Sequence, residues 1–189
     1  MILNDKENGV KVDARLRRDK GFPVGFQDVV EIVKTKEFFR VLYDVKGRFV
    51  LKALDAKESG FKLLKVKAKA IGSNKIPYIV THDGRTIRFP HPEINAGDTV
   101  KYDINNGKIL EWIKNDTGNT GFVTGGNNIG RVGQVQHVER HIGGYDIVHI
   151  KDSNGKTFAT RKENVFIIGT GKKPLISLPK ENGIALTIL

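Results

Sequence analysis

The sequence predicts a mainly β fold built from short-strand hairpins. Apolar and polar residues alternate with a period of two in many short runs, as expected for half-buried antiparallel strands. Turn pairs such as Asp83-Gly84 and Asn154-Gly155 separate these runs and favour tight hairpins. No helical pattern is long enough for the crossover helix of a βαβ unit, so we expect antiparallel rather than parallel pairing.

The composition favours a polyanionic partner. The chain has 32 basic and 21 acidic residues, a net charge of +11, which points to nucleic acid first and to an anionic membrane surface second. No apolar run approaches the roughly 20 residues that span a bilayer, and the start MILNDKENG lacks the pattern of a signal peptide. Cysteine is absent, which excludes disulfides, Cys-ligated zinc and thiol catalysis. We therefore expect a soluble intracellular protein.

The N-terminal stretch contains a basic hairpin candidate. Two short strands are predicted on either side of Asn8-Gly9, and a strand is predicted from Asp28 to Ile32. Between them lies a basic cluster, followed by a Gly-Phe-Pro turn at residues 21–23. The arginines would bind phosphate as bidentate donors, or the cluster is a solvated charged turn. The residues predicted to contact RNA here are Lys11, Arg15, Arg17, Arg18 and Lys20.

The next block begins with a hairpin and a single helical turn. Strands are predicted at Glu37–Tyr43 and Arg48–Leu51, joined by residues 44–47. Residues 55–58 are predicted to form one helical turn before Gly60.

A long strand, Phe61–Ile71, follows. From Leu64 its alternation is strict, which places Lys65, Lys67 and Lys69 on one face. These three lysines either protect an edge strand against aggregation or face phosphates, and the rest of the chain favours RNA.

Two further hairpins complete this block, around Asp83-Gly84 and Asn106-Gly107. His82 lies beside Asp83, a pairing found in general bases, but its position in the turn favours a structural role. Together these strands predict a compact β-barrel-like domain.

Residues 127–156 have a distinctive glycine pattern. Gly130 and Gly133 bracket the start of a strand, and the pair Gly143-Gly144 precedes a second alternating run. The pattern resembles the KOW motif, a small β-module of ribosomal proteins and transcription elongation factors. The resemblance implies an SH3-like barrel, closed by strands at 157–160 and 165–169. Its expected RNA contacts are Arg131, His137 and Arg140.

No catalytic or metal site is predicted. Gly169–Lys173 lacks the glycine and the hydroxyl residue of a phosphate-binding loop. His137 and His141 are four residues apart, but they lie in a strand-rich stretch with no obvious third ligand. No pair of carboxylates suggests acid–base chemistry. We expect no cofactor, no metal and no enzymatic activity.

Residues 12–30, VDARLRRDKGFPVGFQDVV, resemble the second half of the RNA-binding domain named after ribosomal protein S-four. That domain normally begins with two helices that this chain lacks, so residues 1–32 are expected to be a partial domain. Ala14 stands where that domain usually has glycine.

Across nearly its whole length the chain resembles the eukaryotic and archaeal small-subunit ribosomal protein S-four family. The matching stretches are residues 41–49, 76–88, 126–133, 158–161 and 176–179. The resemblance implies a structural constituent of the small subunit of the cytoplasmic ribosome that binds rRNA and supports translation. The implied partners are small-subunit rRNA and neighbouring ribosomal proteins, with no membrane and no small-molecule substrate.

The predicted organisation has four segments: a partial RNA-binding segment (1–32), a central β-rich domain (33–113), the KOW domain (114–169) and a C-terminal tail (170–189). Residues 1–75 carry a net charge of +8 and residues 76–189 only +3, so the N-terminal and middle hairpins are expected to make most phosphate contacts.

Two other functions compete with this one. An RNA-modifying enzyme such as a pseudouridine synthase would need a catalytic domain for which the chain has no room. A KOW-type transcription or protein-interaction factor is the alternative.

Overall fold

A computed structural model describes residues 9–179 and 183–184 and contains three antiparallel sheets joined by short turns. The predicted mainly β fold is therefore confirmed. In this part of the chain no helix has the length and hydropathy to cross a membrane.

The first sheet holds five strands from the N-terminal part of the chain: β1 (Val10–Val12), β2 (Arg15–Arg17), β3 (Val29–Ile32), β4 (Glu37–Tyr43) and β5 (Phe49–Leu54). Their order in the sheet is β2-β1-β3-β4-β5, so β2 and β5 are its edges. The bounds of β4 match the prediction, whereas the strand predicted before Asn8 lies outside the described residues. A four-residue helix, α1 (Ala56–Ser59), then forms the predicted single helical turn.

The second sheet holds five strands: β6 (Phe61–Ile71), β7 (Pro77–Thr81), β8 (Thr86–Arg88), β9 (Thr99–Asp103) and β10 (Ile109–Ile113). Their order is β10-β9-β6-β7-β8, with the long β6 in the centre. A short turn at Ser73–Lys75 joins β6 to β7, and the predicted turn at Asp83-Gly84 joins β7 to β8.

The third sheet holds six strands: β11 (Thr120–Val123), β12 (Val132–Glu139), β13 (Ile147–Lys151), β14 (Thr157–Arg161), β15 (Val165–Thr170) and β16 (Lys173–Pro174). Their order is β14-β13-β12-β11-β15-β16. A 3₁₀ turn at Lys162–Asn164 lies between β14 and β15. The division of the chain into four segments stays a prediction, and β3 and β4, on either side of its first boundary, pair in one sheet.

The strict alternation predicted along β6 is wrong. Leu63 and Leu64 are both fully buried, because the first half of this central strand is covered on both faces. A register shift between Val66 and Ala68 then breaks the alternation, and Ala68 is exposed.

One apolar cluster joins the three sheets. It contains Phe26 from the loop before β3, Leu63 of β6 and Phe166 of β15, with Phe26 lying 5.3 Å from Phe166 between ring centroids. Another apolar cluster packs against the third sheet. A separate one packs against the second sheet and includes Ile79, which is fully buried. The shared cluster makes the arrangement of the three sheets part of the hydrophobic core.

A buried arginine links the first sheet to the C-terminal segment. Arg40 of β4 is fully buried and donates to Glu58 Oε1 at 2.8 Å and to the carbonyl of Phe61 at 2.7 Å. Glu58 in turn accepts hydrogen bonds from the backbone N–H and the hydroxyl of Ser177, at 2.9 and 2.7 Å. The tail is thus attached to the body of the protein as far as this residue.

The glycine pattern of residues 127–156 has a structural cause in Gly130. A Cβ built on Gly130 would lie 2.0 Å from the carbonyl oxygen of Asp44, in the turn between β4 and β5. Its φ of +81° is also in the left-handed region. Only glycine lets the third sheet's loop approach this hairpin so closely.

We expect Gly130→Ala to lower the free energy of unfolding by at least about 3 kcal/mol, because it adds overpacking to the left-handed strain. Gly155→Ala is the matched control: its φ is +83°, and its added Cβ meets no atom within 4 Å. It should lose only about 1 kcal/mol. Urea denaturation measures both, and equal losses would show that the contact with Asp44 contributes nothing.

Candidate nucleic-acid interface

The β1–β2 hairpin presents the basic cluster on the edge of the first sheet. Arg15, Arg18 and Lys20 are exposed. Arg17 is half-buried, with its guanidinium 4.0 Å from the ring centroid of Phe22. Lys11 is 3.4 Å from Glu31 on the neighbouring β3. The hairpin therefore leaves three cations directed to solvent and packs the other two against the protein.

The turn of this hairpin consists of Asp13 and Ala14, both with positive φ, at 50° and 61°. A two-residue turn with positive φ at both positions is typical of the type I′ hairpin. Ala14 adopts the conformation that the expected glycine would adopt without strain. Asp13 holds the turn in place through two hydrogen bonds with Val29. Its backbone N–H donates to the carbonyl of Val29 at 2.9 Å, and its carboxylate accepts from the N–H of Val29 at 3.1 Å.

A buried ammonium group lies behind the hairpin. Lys62 of β6 is 1% exposed, and its Nζ contacts three carboxylates from separate parts of the chain. Asp13 is at 2.5 Å, Asp83 at 2.8 Å and Asp28 at 3.0 Å. Arg85 adds a second cation, 2.7 Å from both Asp13 and Asp83. This charge cluster joins the first sheet to the β7–β8 hairpin of the second.

Lys62 and Asp83 of this cluster are both ionised at neutral pH. Burial alone would lower the pKa of Lys62, but Asp13 and Asp28 outweigh it and raise that pKa. Burial likewise opposes ionisation of Asp83, but hydrogen bonds from Lys62, Thr81 and Arg85 hold the pKa of this carboxyl well below its usual range. Asp13, Asp28 and Asp83 are thus neutralised inside the protein, whereas Asp19 stays exposed between Arg18 and Lys20.

A cleft of about 540 Å³ lies between the β1–β2 and β7–β8 hairpins. Arg15, Arg17 and Phe22 line one side, and Gly84 and Arg85 line the other. Its rim offers guanidinium groups and an aromatic ring, which are the groups that bind phosphates and stack on unpaired bases.

The structure separates the three lysines of β6. Lys65 donates to the carbonyls of Glu163 and Val165, both at 2.7 Å, and burial lowers the pKa of Lys65 to about 8. Lys65 therefore bridges the second and third sheets, and its contact with phosphate stays a prediction. Lys69 donates to the carbonyl of Pro92 at 2.6 Å and stays exposed. Lys67 is exposed.

Lys67 lies on the wall of a cleft of about 880 Å³ between the second and third sheets. Arg161 and Lys162 line the same cleft from the third sheet, so this surface contains cations that the sequence analysis did not select. Arg161 also lies 4.0 Å above the ring centroid of Tyr145.

Of the three residues expected to bind RNA in the third sheet, Arg131 is engaged within the fold. Its guanidinium lies 3.6 Å from the ring centroid of Phe158 and 3.6 Å from Asp152. His137 and Arg140 are exposed. Within the described part of the chain, no cluster of His, Asp or Glu has the arrangement of a metal site.

His82 lies where the three sheets meet. Its Nδ1 accepts a hydrogen bond from the backbone N–H of Lys65 at 3.2 Å, and its Nε2 lies 3.3 Å from the carbonyl of Phe26. Burial lowers its pKa, so the imidazole is neutral and donates through Nε2. With both nitrogens bonded to the backbone, His82 is a structural residue, as expected from its position in the sequence.

The comparisons with known proteins all point to one ribosomal protein family. The model of ribosomal family S4e matches residues 35–109, and the model of the 40S ribosomal protein S4 C-terminus matches residues 152–189. Small ribosomal subunit protein eS4 of Tetrahymena thermophila is 59% identical over 189 residues, which cover 100% of this chain and 73% of that protein. The chain belongs to the S4e family of ribosomal proteins. The eS4 protein of Bombyx mori is 54% identical over 97% of this chain and 70% of its own length.

A solved S4e structure shares the fold. The crystal structure of 30S ribosomal protein S4e from Thermoplasma acidophilum superposes with a TM-score of 0.78 at 35% sequence identity. The alignment covers 93% of this chain and 86% of the archaeal one. The family resemblance carried by the short sequence motifs is thus confirmed.

We expect Lys62→Met to lower the free energy of unfolding by about 3–5 kcal/mol at pH 7, because it leaves three half-buried carboxylates without their shared cation. The loss should shrink as the pH falls from 5 to 3. In the wild type the lowered pKa of Asp83 stabilises the fold above the unfolded value of about 3.9, and this contribution fades in acid. In the variant, protonation relieves the carboxylate repulsion over the same range.

Urea denaturation at several pH values tests this, with Lys114→Met as the control. Lys114 is exposed and 3.9 Å from Glu93, so its loss should cost under about 1 kcal/mol. An effect of Lys62→Met that did not change with pH would show that lost packing, rather than unpaired charge, is the cause.

Proposed function

We propose that this chain is a structural constituent of the small subunit of the cytoplasmic ribosome, where it binds small-subunit rRNA and contacts neighbouring ribosomal proteins. The observation that carries the proposal is the 59% identity, over the whole chain, to small ribosomal subunit protein eS4 of Tetrahymena thermophila. The proposed role is structural rather than catalytic.

The charge distribution supports RNA as the main partner. The cations that the fold buries, such as Lys62 and Arg40, are matched by buried or half-buried acids. Three cations of the first hairpin, Arg15, Arg18 and Lys20, are exposed and lie on edge strand β2 or directly after it. Lysines and arginines in such positions neutralise phosphates regardless of sequence and release counterions.

The rigidity of the fold supports recognition by shape. Folded RNA is bound largely through its backbone and 2′-hydroxyls, which requires cations held at fixed separations. The residues proposed to contact rRNA are those that the fold leaves exposed: Arg15, Arg18, Lys20, Lys67, Lys69, His137 and Arg140. Lys11 and Arg17 are proposed as secondary contacts, because each already has a partner within the protein.

We expect wild-type protein to bind small-subunit rRNA with a steep salt dependence and to keep a preference for it over tRNA. Replacing Arg15, Arg18 and Lys20 together by Ala should reduce the slope of log K against log salt by about 2 to 3, one unit or slightly less for each lost phosphate contact. Filter binding over a salt series measures this slope.

The matched control replaces three exposed lysines elsewhere, Lys108, Lys151 and Lys173, and removes the same charge. We expect a smaller change in slope for this variant. Equal changes would show that the hairpin is not the main phosphate contact. Weak, salt-insensitive binding by the wild type would contradict the RNA-binding function and favour a protein-interaction module.

A further inference from the structure

Phe89 has an unfavourable backbone conformation and an exposed ring. It directly follows edge strand β8, its φ is +51°, and its side chain is 70% exposed. The left-handed region is unfavourable for a residue with a Cβ, and the following Pro90 also restricts Phe89 to extended conformations. Among the described residues, burial of the ring does not offset this strain.

Hydrogen bonds on both sides fix the backbone in this conformation. The N–H of Phe89 donates to the carbonyl of Pro77 at 2.9 Å. Three residues further on, the carbonyl of Pro92 accepts a hydrogen bond from Lys69 at 2.6 Å. The ring is therefore held out from the protein by a rigid segment. Strain of this kind is concentrated at functional sites.

The surface around Phe89 combines apolar and cationic side chains. Ile71, the last residue of β6, is 74% exposed and pairs with Pro77, the first residue of β7. Because Pro77 also accepts the hydrogen bond from Phe89, these three apolar residues form one row across the strands. Exposed Lys75 lies in the turn between β6 and β7, and exposed Arg88 directly precedes the ring.

Acidic residues are scarce in this region. Asp83 is the single acid among residues 60–92, and it is neutralised by Lys62 and Arg85. Glu93 follows, 3.9 Å from Lys114. An exposed ring that directly follows an exposed arginine, in a segment with few acids, matches an RNA strand with unpaired bases better than it matches an apolar protein surface.

We propose that Phe89 stacks on an unpaired base of the bound RNA, while Lys75 and Arg88 contact the flanking phosphates. The inference rests on the proposed rRNA-binding function and adds a contact with an unpaired base to it. Aromatic stacking on a base needs an accessible ring face held at a fixed position, which the strained segment provides.

The test compares Phe89→Ala, Phe89→Gly and Phe89→Tyr with the wild type. The RNA probes are small-subunit rRNA, single-stranded poly(A) and the poly(A)·poly(U) duplex. We expect Ala and Gly to weaken binding to rRNA and poly(A) by about 5- to 100-fold, with the duplex unaffected. Tyr should keep wild-type affinity. The salt slope should stay unchanged for all three, because stacking carries no charge.

Leu110→Ala is the matched control, because Leu110 is 57% exposed on β10, the opposite edge of the same sheet. We expect it to bind all three RNAs as the wild type does. A parallel loss in Leu110→Ala would overturn the assignment to Phe89.

Thermal unfolding separates a binding role from a folding role. Removing the exposed ring should not lower Tm, and Phe89→Gly should unfold about 2–4 °C above Phe89→Ala because glycine relieves the strain. A clear fall in Tm for both variants would show that the ring stabilises the fold, and would overturn the proposal.

The remaining outcomes distinguish this inference from the function on which it rests. If wild-type protein binds rRNA and Phe89→Ala binds it equally well, the stacking contact is wrong and the ring belongs to a protein neighbour. If wild-type protein does not bind rRNA, the proposed function itself fails.

Discussion

The contact between Lys62 and three carboxylates constrains most of the structure. Asp13, Asp28 and Asp83 lie 49, 34 and 21 residues from Lys62 along the chain, yet all reach its ammonium within 3.0 Å. A buried ion pair is not in itself strongly stabilising, because desolvation offsets much of the attraction. Its effect is on geometry, since each carboxylate must find the same cation. That requirement fixes the position of the β1–β2 hairpin relative to the β7–β8 hairpin, and so positions the basic residues at the edge of the first sheet.

The third sheet is attached by a different set of interactions. Phe26, His82 and Phe166 pack together at the meeting point of the sheets, with ring centroids 5.3 to 6.4 Å apart. Lys65 adds two hydrogen bonds to backbone carbonyls of the third sheet, and Gly130 allows the close approach to the β4–β5 turn. Apolar packing and backbone hydrogen bonds resist salt better than exposed ion pairs do. The interactions that attach the third sheet are therefore of a kind that a polyanion bound at the surface does not weaken.

Much of the fold was predictable from local sequence, whereas its long-range contacts were not. The alternating run Glu37–Tyr43 and the turn pair Asp83-Gly84 each carry a complete local signal, and both were predicted correctly. The alternation predicted from Leu64 failed at Ala68, which is exposed because the register shifts after Val66. The contacts of Lys62 were not predicted, since its partners are distant in sequence. The bulge after Val66 likewise left no local signal.

Long-range contacts also determine which candidate site residues are exposed as expected. Lys65, Lys67 and Lys69 look alike in the sequence, but the fold buries the first against two carbonyls and leaves the second exposed. Arg131 and Arg140 also look alike in the sequence, but Arg131 packs against Phe158 whereas Arg140 is exposed. Net charge thus indicates the class of partner, but the number of cations available to that partner depends on how many the fold uses internally. Asp83 is also used internally, with Lys62 and Arg85 as its partners. The exposed surface of the second sheet around Phe89 therefore keeps cations such as Lys75 and Arg88, with no exposed acid among residues 60–92.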